Sequence, residues 1–146
     1  MHIPNSVKPM IRGFTTIHVF FYRLLRGQLP GNWLGKFSIL ISTIGRKSGQ
    51  LRTTPLFALR DGADYIVVAS YGGSDHDPIW YRNIQANPRV LVNDHGLVHE
   101  TLARDVLDIN ERSRLWVQLL AMYPTYDTYR QNSNREFPLV RLSPRQ

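Results

Sequence analysis

Apolar residues recur along this chain with two different periods. From Phe14 to Leu25, the positions Ile17, Phe20, Phe21, Leu24 and Leu25 fall three and four residues apart. That spacing is one face of a helix, closed by Gly27 and the turn at Pro30-Gly31. Beyond residue 36 the pattern becomes that of strands. Phe37–Ile44, Leu51–Leu59 and Tyr65–Ser70 are rich in β-branched and aromatic residues. Each run is bounded by turn residues: Gly45–Gly49, Asp61-Gly62 and Gly72-Gly73. Pro55 marks the second run as an edge strand or the site of a bulge. Pro78 suits the first turn of a short helix that runs to about Ala86, before Asn87-Pro88. Arg89–Asn93 and Leu97–Arg104 pair as a hairpin around Asp94-His95-Gly96. Asp108 with Glu111 three residues on resembles a capping box. The helix it opens carries Leu115, Leu119 and Met122 on one row, with Trp116, Leu120 and Tyr123 beside it, and Pro124 ends it. Phe137–Leu142 is a closing strand.

Strands joined mostly by hairpins give an antiparallel sheet. The expected fold is mainly β with flanking helices (α+β), a small barrel closed or nearly closed. We divide the chain into a lead-in with an amphipathic helix, 1–35, and a barrel domain, 36–146. No run of about 18 apolar residues is present, so we expect no membrane-spanning helix, and no cleavable leader is evident at Phe14–Leu25.

Composition narrows the chemistry. The absence of cysteine excludes thiol catalysis, disulfides and cysteine metal sites. The net charge of +7 is unevenly spread. Residues 1–60 hold nine Lys or Arg and no acid, whereas 61–146 hold nine Lys or Arg and eleven acids. The first part therefore calls for an anionic partner or presents a solubilising face. Phe14–Leu25, aromatic and flanked by Lys8, Arg12, Arg23 and Arg26, packs on the domain or lies in a membrane interface. The histidines show no metal-ligand spacing, and adjacent Asp75, His76 and Asp77 are poorly disposed to converge on one ion. No Gly-x-Ser-x-Gly elbow or triad is present. Basic residues are not interleaved with aromatics, which argues against nucleic acid.

Three stretches carry candidate chemistry. Gly45–Leu56, GRKSGQLRTTPL, combines a glycine turn, the cations Arg46, Lys47 and Arg52, and the hydroxyls of Ser48, Thr53 and Thr54. It is a phosphate cradle or a solvated hairpin tip. Ala69-Ser70-Tyr71-Gly72-Gly73, leading to Pro78 and Trp80, is a close approach to a flat ring or a plain strand-to-helix loop. Tyr123, Tyr126 and Tyr129 lie three apart after a proline break, and they wall a pocket or form a packing cluster. A chain without an acid–base or nucleophile set suits a reaction whose chemistry a cofactor carries.

Together with PIWYRNIQANP at Pro78–Pro88 and RLWVQLLAMYPTYDTYRQNSNREFPLVRL at Arg114–Leu142, these stretches resemble the deazaflavin (coenzyme F420)-dependent nitroreductases of actinobacteria. The resemblance implies a split β-barrel related to flavin-binding barrels and hydride transfer from reduced F420 to a quinone or another electron-poor small molecule. Some members of that family reduce nitroimidazoles. It implies that Arg46, Lys47, Ser48 and Arg52, joined by Thr53, hold the phosphate and acidic tail. Pro55, Ala69, Ser70, Tyr71, Gly72 and Gly73 would line the deazaflavin, with Trp80 nearby. Ser70, Tyr123, Tyr126 and Tyr129 would face the substrate, with Ser70, Tyr126 and Tyr129 the catalytic candidates. A cytoplasmic enzyme is expected, as a homodimer or in peripheral contact with the inner face of the membrane through Phe14–Leu25. A coenzyme carrier and an FMN reductase on the same barrel are the alternatives. Two positions depart from the family pattern: Tyr71, where a short polar residue is expected, and the acidic Asp75-His76-Asp77.

Overall fold

Alternation of side chains builds a single antiparallel sheet of seven strands. These are β1 (Ser38–Ile44), β2 (Leu51–Phe57), β3 (Leu59–Asp61), β4 (Asp64–Val68), β5 (Arg89–Asp94), β6 (Leu97–Asp105) and β7 (Leu139–Pro144), in the order β2-β1-β5-β6-β7-β4-β3. A 3-10 turn at Tyr71–Gly73 and helices α1 (Ile79–Ala86), α2 (Ile109–Met122) and α3 (Thr125–Gln131) complete the fold. The computed structural model describes residues 37–74 and 76–145. The helix expected at Phe14–Leu25, and Asp75, lie outside the described residues.

The sheet order dictates closure. β2 and β3 are its two outer strands, yet only Ala58 separates them in sequence. Two successive Cα–Cα steps span at most ~7.6 Å, so the two edges must meet and the sheet must curl into a barrel split along that seam. Ala58 is fully buried, and its N–H donates to Phe37 O at 3.1 Å. The expected single strand Leu51–Leu59 is corrected accordingly: it breaks at Ala58 as the chain passes from one edge to the other. Pro55 sits on the outer strand β2, opposite Leu40, where a missing N–H is tolerated.

Two apolar clusters use the two faces of the sheet. Ile39, Ile41, Tyr65, Val67, Val90, Val92, Val140 and Leu142 fill the barrel. Their alternating neighbours Ile66, Val68 and Leu139 point outward, beneath Leu115 and Leu119 of α2 and Tyr126 of α3. β4 is thus covered on both faces, which explains why Tyr65–Val68 is continuously apolar rather than alternating. α2 begins as its sequence suggests, with Asp108 Oδ1 accepting from Glu111 N at 2.8 Å. The reciprocal half of the capping box is absent, because the Glu111 carboxylate accepts from Arg104 and Arg141 instead.

Arg141 of β7 is 6% exposed and holds Asp64 at 2.8 Å, Asp61 at 2.7 Å and Glu111 at 3.2 Å. One guanidinium thereby ties the β3–β4 hairpin and α2 to β7. Hydrogen bonds from Arg114 and then Arg141 hold the Asp61 carboxyl well below the usual range, and Arg104 does the same for Glu111. A carboxyl with a depressed pKa adds stability that is complete above its unfolded value and is lost as pH falls through the folded one. Stability should therefore hold down to about pH 4.5, the ordinary Glu value, and decline steadily below it in acid titrations of the urea midpoint. Arg141→Ala leaves three facing carboxylates and should cost about 2–4 kcal/mol in urea unfolding, with part of the acid sensitivity removed. A cost below about 0.5 kcal/mol, the range of ordinary surface pairs, would make the network decorative.

Candidate active site

The turn between β1 and β2 is fixed from two sides. Its own backbone closes it, with Gly45 N donating to Gln50 O at 2.7 Å and Gly49 N donating to Gly45 O at 2.8 Å. A side chain at Gly45 would crowd the turn, since a Cβ there would lie 2.7 Å from Ser48 Oγ and 3.1 Å from Gln50 O. From α1, buried Asn83 accepts from Arg46 N and donates to Thr43 Oγ1, both at 3.1 Å. The turn therefore cannot move without breaking a buried pair of hydrogen bonds.

Its cations are left free. Among the described residues, Arg46, Lys47, Arg52 and Arg82 are the cations without an acidic partner. Every other described arginine has one. Arg46, Lys47 and Arg52 line a groove of about 720 Å³, together with Ser48, Thr53 and Asn83. Two of its hydroxyls are already engaged: Thr53 Oγ1 lies 2.7 Å from Ser42 Oγ, and Ser48 Oγ accepts from Gln50 N at 3.1 Å.

A second cavity of about 520 Å³ adjoins the groove, and the two share Thr54, Ile79 and Trp80 as walls. Four consecutive residues of β2, Thr54–Phe57, line it. Side chains alternate along a strand, so the cavity must run along the free edge of β2 rather than over one face. Pro55 removes one unpaired donor from that edge. The far wall is aromatic, with Tyr123, Tyr126 and Tyr129. The chain does continue helically after Pro124, as α3, which puts all three tyrosines on the cavity side. Tyr123 packs edge-on to Tyr126 with ring centroids 4.8 Å apart, and the Tyr123 and Tyr129 hydroxyls are 3.4 Å apart.

Burial, then the neighbouring tyrosines, pushes the Tyr126 phenol above its usual range, and the hydrogen bond with Tyr123 does the same for Tyr129. Both hydroxyls are therefore protonated at neutral pH, where they can donate hydrogen bonds and do not act as bases. Tyr126 and Ser70 both line the cavity, and neither side-chain hydroxyl has a hydrogen-bond partner among the described residues.

Ser70 and Tyr71, with Pro78, form the third wall, and a single side chain ties together the loop that carries them. Arg135 donates from Nε to Ser74 O at 2.8 Å and from Nη2 to Ser70 O at 2.9 Å and His76 O at 3.0 Å. Its Nη1 pairs with Asp77 at 3.1 Å, and its guanidinium lies 4.8 Å from the Phe137 ring centroid. Gly73, at φ 84°, abuts Tyr129: a Cβ there would lie 3.1 Å from Tyr129 Cβ. The loop and α3 are thus in direct register.

A family model described as F420H(2)-dependent quinone reductase matches residues 14–144. This chain belongs to the F420H(2)-dependent quinone reductase family. An F420H(2)-dependent quinone reductase of Mycobacterium tuberculosis (strain H37Rv) is 36% identical over 132 residues, 88% of this chain and 89% of that protein. A solved F420-H2 dependent reductase (FDR-A) superposes with a TM-score of 0.67 at 34% identity, covering 73% of this chain and 93% of its own. A structure described as a domain-swapped dimer gives 0.69 at 31%, covering 89% and 98%.

For this quinone reductase family member, most of the residues singled out in the sequence come together. Arg46, Lys47, Ser48, Arg52 and Thr53 line the groove; Pro55, Ser70, Tyr71 and the three tyrosines line the cavity; Trp80 borders both. Ala69 does not: it is wholly buried in the barrel core, its N–H donating to Pro138 O at 2.9 Å, so it supports the loop from behind. Gly73 closes the 3-10 turn, with its N–H donating to Ser70 O at 2.9 Å, and is not among the described residues that line the cavity. Asp77 is spent on Arg135, which removes it from any ion site. Sequence reasoning missed Asn83, Ile79 and Arg135. Asn83 left a trace, as a polar residue beside Trp80 and Ile84 on the buried row of α1. Arg135 left none, because its acceptors lie 58–65 residues away.

Asn83→Ala should strand the Arg46 amide and the Thr43 hydroxyl and lower stability by about 1–3 kcal/mol. Amide hydrogen exchange should accelerate at Arg46 and Gly49 more than in the barrel strands. Uniform acceleration would show that Asn83 serves the fold generally and not the turn.

Proposed function

We propose that this protein transfers a hydride from reduced coenzyme F420 to a quinone bound between β2, the Ser70–Asp77 loop and α3. The observation that carries this reading is the junction of two unlike compartments: an aromatic-walled cavity and a groove with unpaired cations, sharing Thr54, Ile79 and Trp80. Coenzyme F420 has the same division, a flat deazaflavin joined to a phosphodiester and a glutamate tail. The free cations and the rigid glycine turn fit that anionic part, and the Pro55 edge with Trp80 fits the ring. When bound and reduced, the coenzyme supplies the hydride.

In this reading Arg46, Lys47 and Arg52 hold the phosphate and tail, with the Gly45–Gly49 backbone and the Ser48 and Thr53 hydroxyls as secondary partners. Pro55, Ser70 and Trp80 bound the ring, and Gly73 closes the turn that carries Ser70. Ser70 Oγ and the Tyr126 hydroxyl donate to a quinone carbonyl oxygen and stabilise the negative charge that grows there as the acceptor is reduced. Tyr129, tied to Tyr123, orients the wall. The proton that completes the hydroquinone comes from solvent or from Tyr126. The structural neighbour described as a domain-swapped dimer supports a homodimer. Peripheral membrane contact through Phe14–Leu25 rests on the composition of that segment alone. Among the described residues, no helix is long and apolar enough to cross a membrane.

The test is a fluorescence titration with oxidised F420, with FMN in parallel. Micromolar binding of F420, weakened at least ~100-fold in the Lys47→Ala, Arg52→Ala double variant, is the expected result for two lost charge-assisted contacts. Binding of FMN alone would place the protein among flavin reductases. In steady state, Tyr126→Phe should lower kcat/KM for menadione about tenfold or more, with the F420 dissociation constant unchanged. Tight coenzyme binding with no turnover of any quinone would leave a carrier.

A further inference from the structure

Tyr71 stands at φ 47°, in the left-handed region where a bulky side chain is strained. Its own side chain gives no reason for this. The ring is 61% exposed and makes no hydrogen bond or ring contact with any described residue. The strain is imposed by the residues around it. Tyr71 O accepts from Ser74 N at 3.1 Å, and Ser70 O accepts from both Gly73 N and Arg135 Nη2 at 2.9 Å. Gly73 is in turn pressed against Tyr129. A glycine or asparagine would occupy this position at less cost, and a strained residue that its surroundings over-determine is a mark of functional loops. The position of the ring indicates the use. Of the residues lining the 520 Å³ cavity, Tyr71 and Ile79 are the exposed ones, at 61% and 64%, and so they form its mouth.

We infer that Tyr71 is the residue that selects the electron acceptor. Its ring binds the part of the acceptor that projects from the cavity, with Ile79 as the second apolar contact. A fused second ring or an apolar tail gives the phenol face a surface to stack on. A single-ring quinone offers it much less. This inference rests on the quinone reading above and moves Tyr71 from the coenzyme-binding set to the acceptor side. It also accounts for a solvent-exposed aromatic in a costly conformation, which a purely coenzyme-binding role does not require.

Two arms test it with Tyr71→Asn, which tolerates the left-handed backbone but lacks the ring, and with Tyr71→Phe, which keeps the ring. In the first, menadione is titrated into coenzyme-free protein and followed by quenching of tryptophan emission, Trp80 lining the same cavity. Tyr71→Asn should weaken menadione binding about tenfold, and Tyr71→Phe should restore it to within about twofold. The thermal midpoint of Tyr71→Asn should rise by roughly 2–4 °C as strain is relieved. In the second arm, turnover with reduced F420 should show the menadione to 1,4-benzoquinone ratio of kcat/KM falling about tenfold in Tyr71→Asn. A higher KM for the coenzyme with an unchanged acceptor ratio would return Tyr71 to the coenzyme pocket and overturn the inference. So would unchanged menadione binding, or a fall in the thermal midpoint, which would make the ring a packing residue. Wild-type protein that binds menadione in a Tyr71-dependent way yet does not turn over with reduced F420 would defeat the proposed function and leave the role of Tyr71 standing.

Discussion

Everything in this molecule depends on a single residue's width. Because only Ala58 lies between the two outer strands, the sheet has to close, and because those strands meet end to end rather than side by side, it closes with a seam. The seam leaves β2 with a free edge, and an uncovered edge of unpaired backbone groups is normally a hazard. Here Pro55 blunts it, and the Ser70–Asp77 loop, α1 and α3 gather around it to make a cavity. The candidate site is therefore a consequence of how the barrel fails to close, and it sits on rigid strand rather than on a loose insertion.

The two irregular walls of that site are held by the same physical device. A polar side chain from a distant element satisfies backbone groups that a loop cannot satisfy for itself. Asn83 does this for the cationic turn and Arg135 for the Ser70–Asp77 loop. Both side chains are largely buried, where an unpaired polar group is expensive, so each network tolerates one arrangement. Against this background the unsatisfied groups become informative. Ser70 Oγ, the Tyr126 hydroxyl and the cations of the turn have no partner among the described residues, whereas the backbone of the two loops that carry the turn and Ser70 is tied down. That is the pattern of a preorganised site, with rigid supports and free ligand-facing donors.

Legibility in the sequence followed sequence distance. Hairpins, the Asp108 cap and the strand order of types were readable because their determinants are neighbours. So was the antiparallel barrel, since short turns leave few other solutions. The break at Ala58 was not, because nothing local distinguishes a strand that continues from one that changes edges. The continuation of helix after Pro124 was open, since proline begins helices as readily as it ends them. Arg46, Lys47 and Arg52 were legible as a cluster, but their lack of partners is a property of the folded surface, as is the saturation of the other arginines. Ala69 looked like a ring-lining small residue and proved to be core, because a strand end reads the same whether it turns in or out. Arg135 could not have been found from spacing at all.

The segregation of charge is the remaining point, and it bears on why net charge alone was a poor guide. The chain carries +7, yet in the described region almost all arginines are neutralised by nearby carboxylates, several through Arg141, Asp61 and Glu111. A paired cation contributes little field a Debye length away. Among the described residues, the cations left without acidic partners are then the main local source of positive field, and three of those four line the groove. Moving an arginine elsewhere on the surface would preserve the total and change nothing at the site. Placing one carboxylate beside Lys47 would alter the total by a single unit and remove much of what an anionic ligand meets. What matters for recognition is therefore the pairing pattern, which the fold creates among the described residues by bringing acids of the second half of the chain to every arginine except Arg46, Arg52 and Arg82.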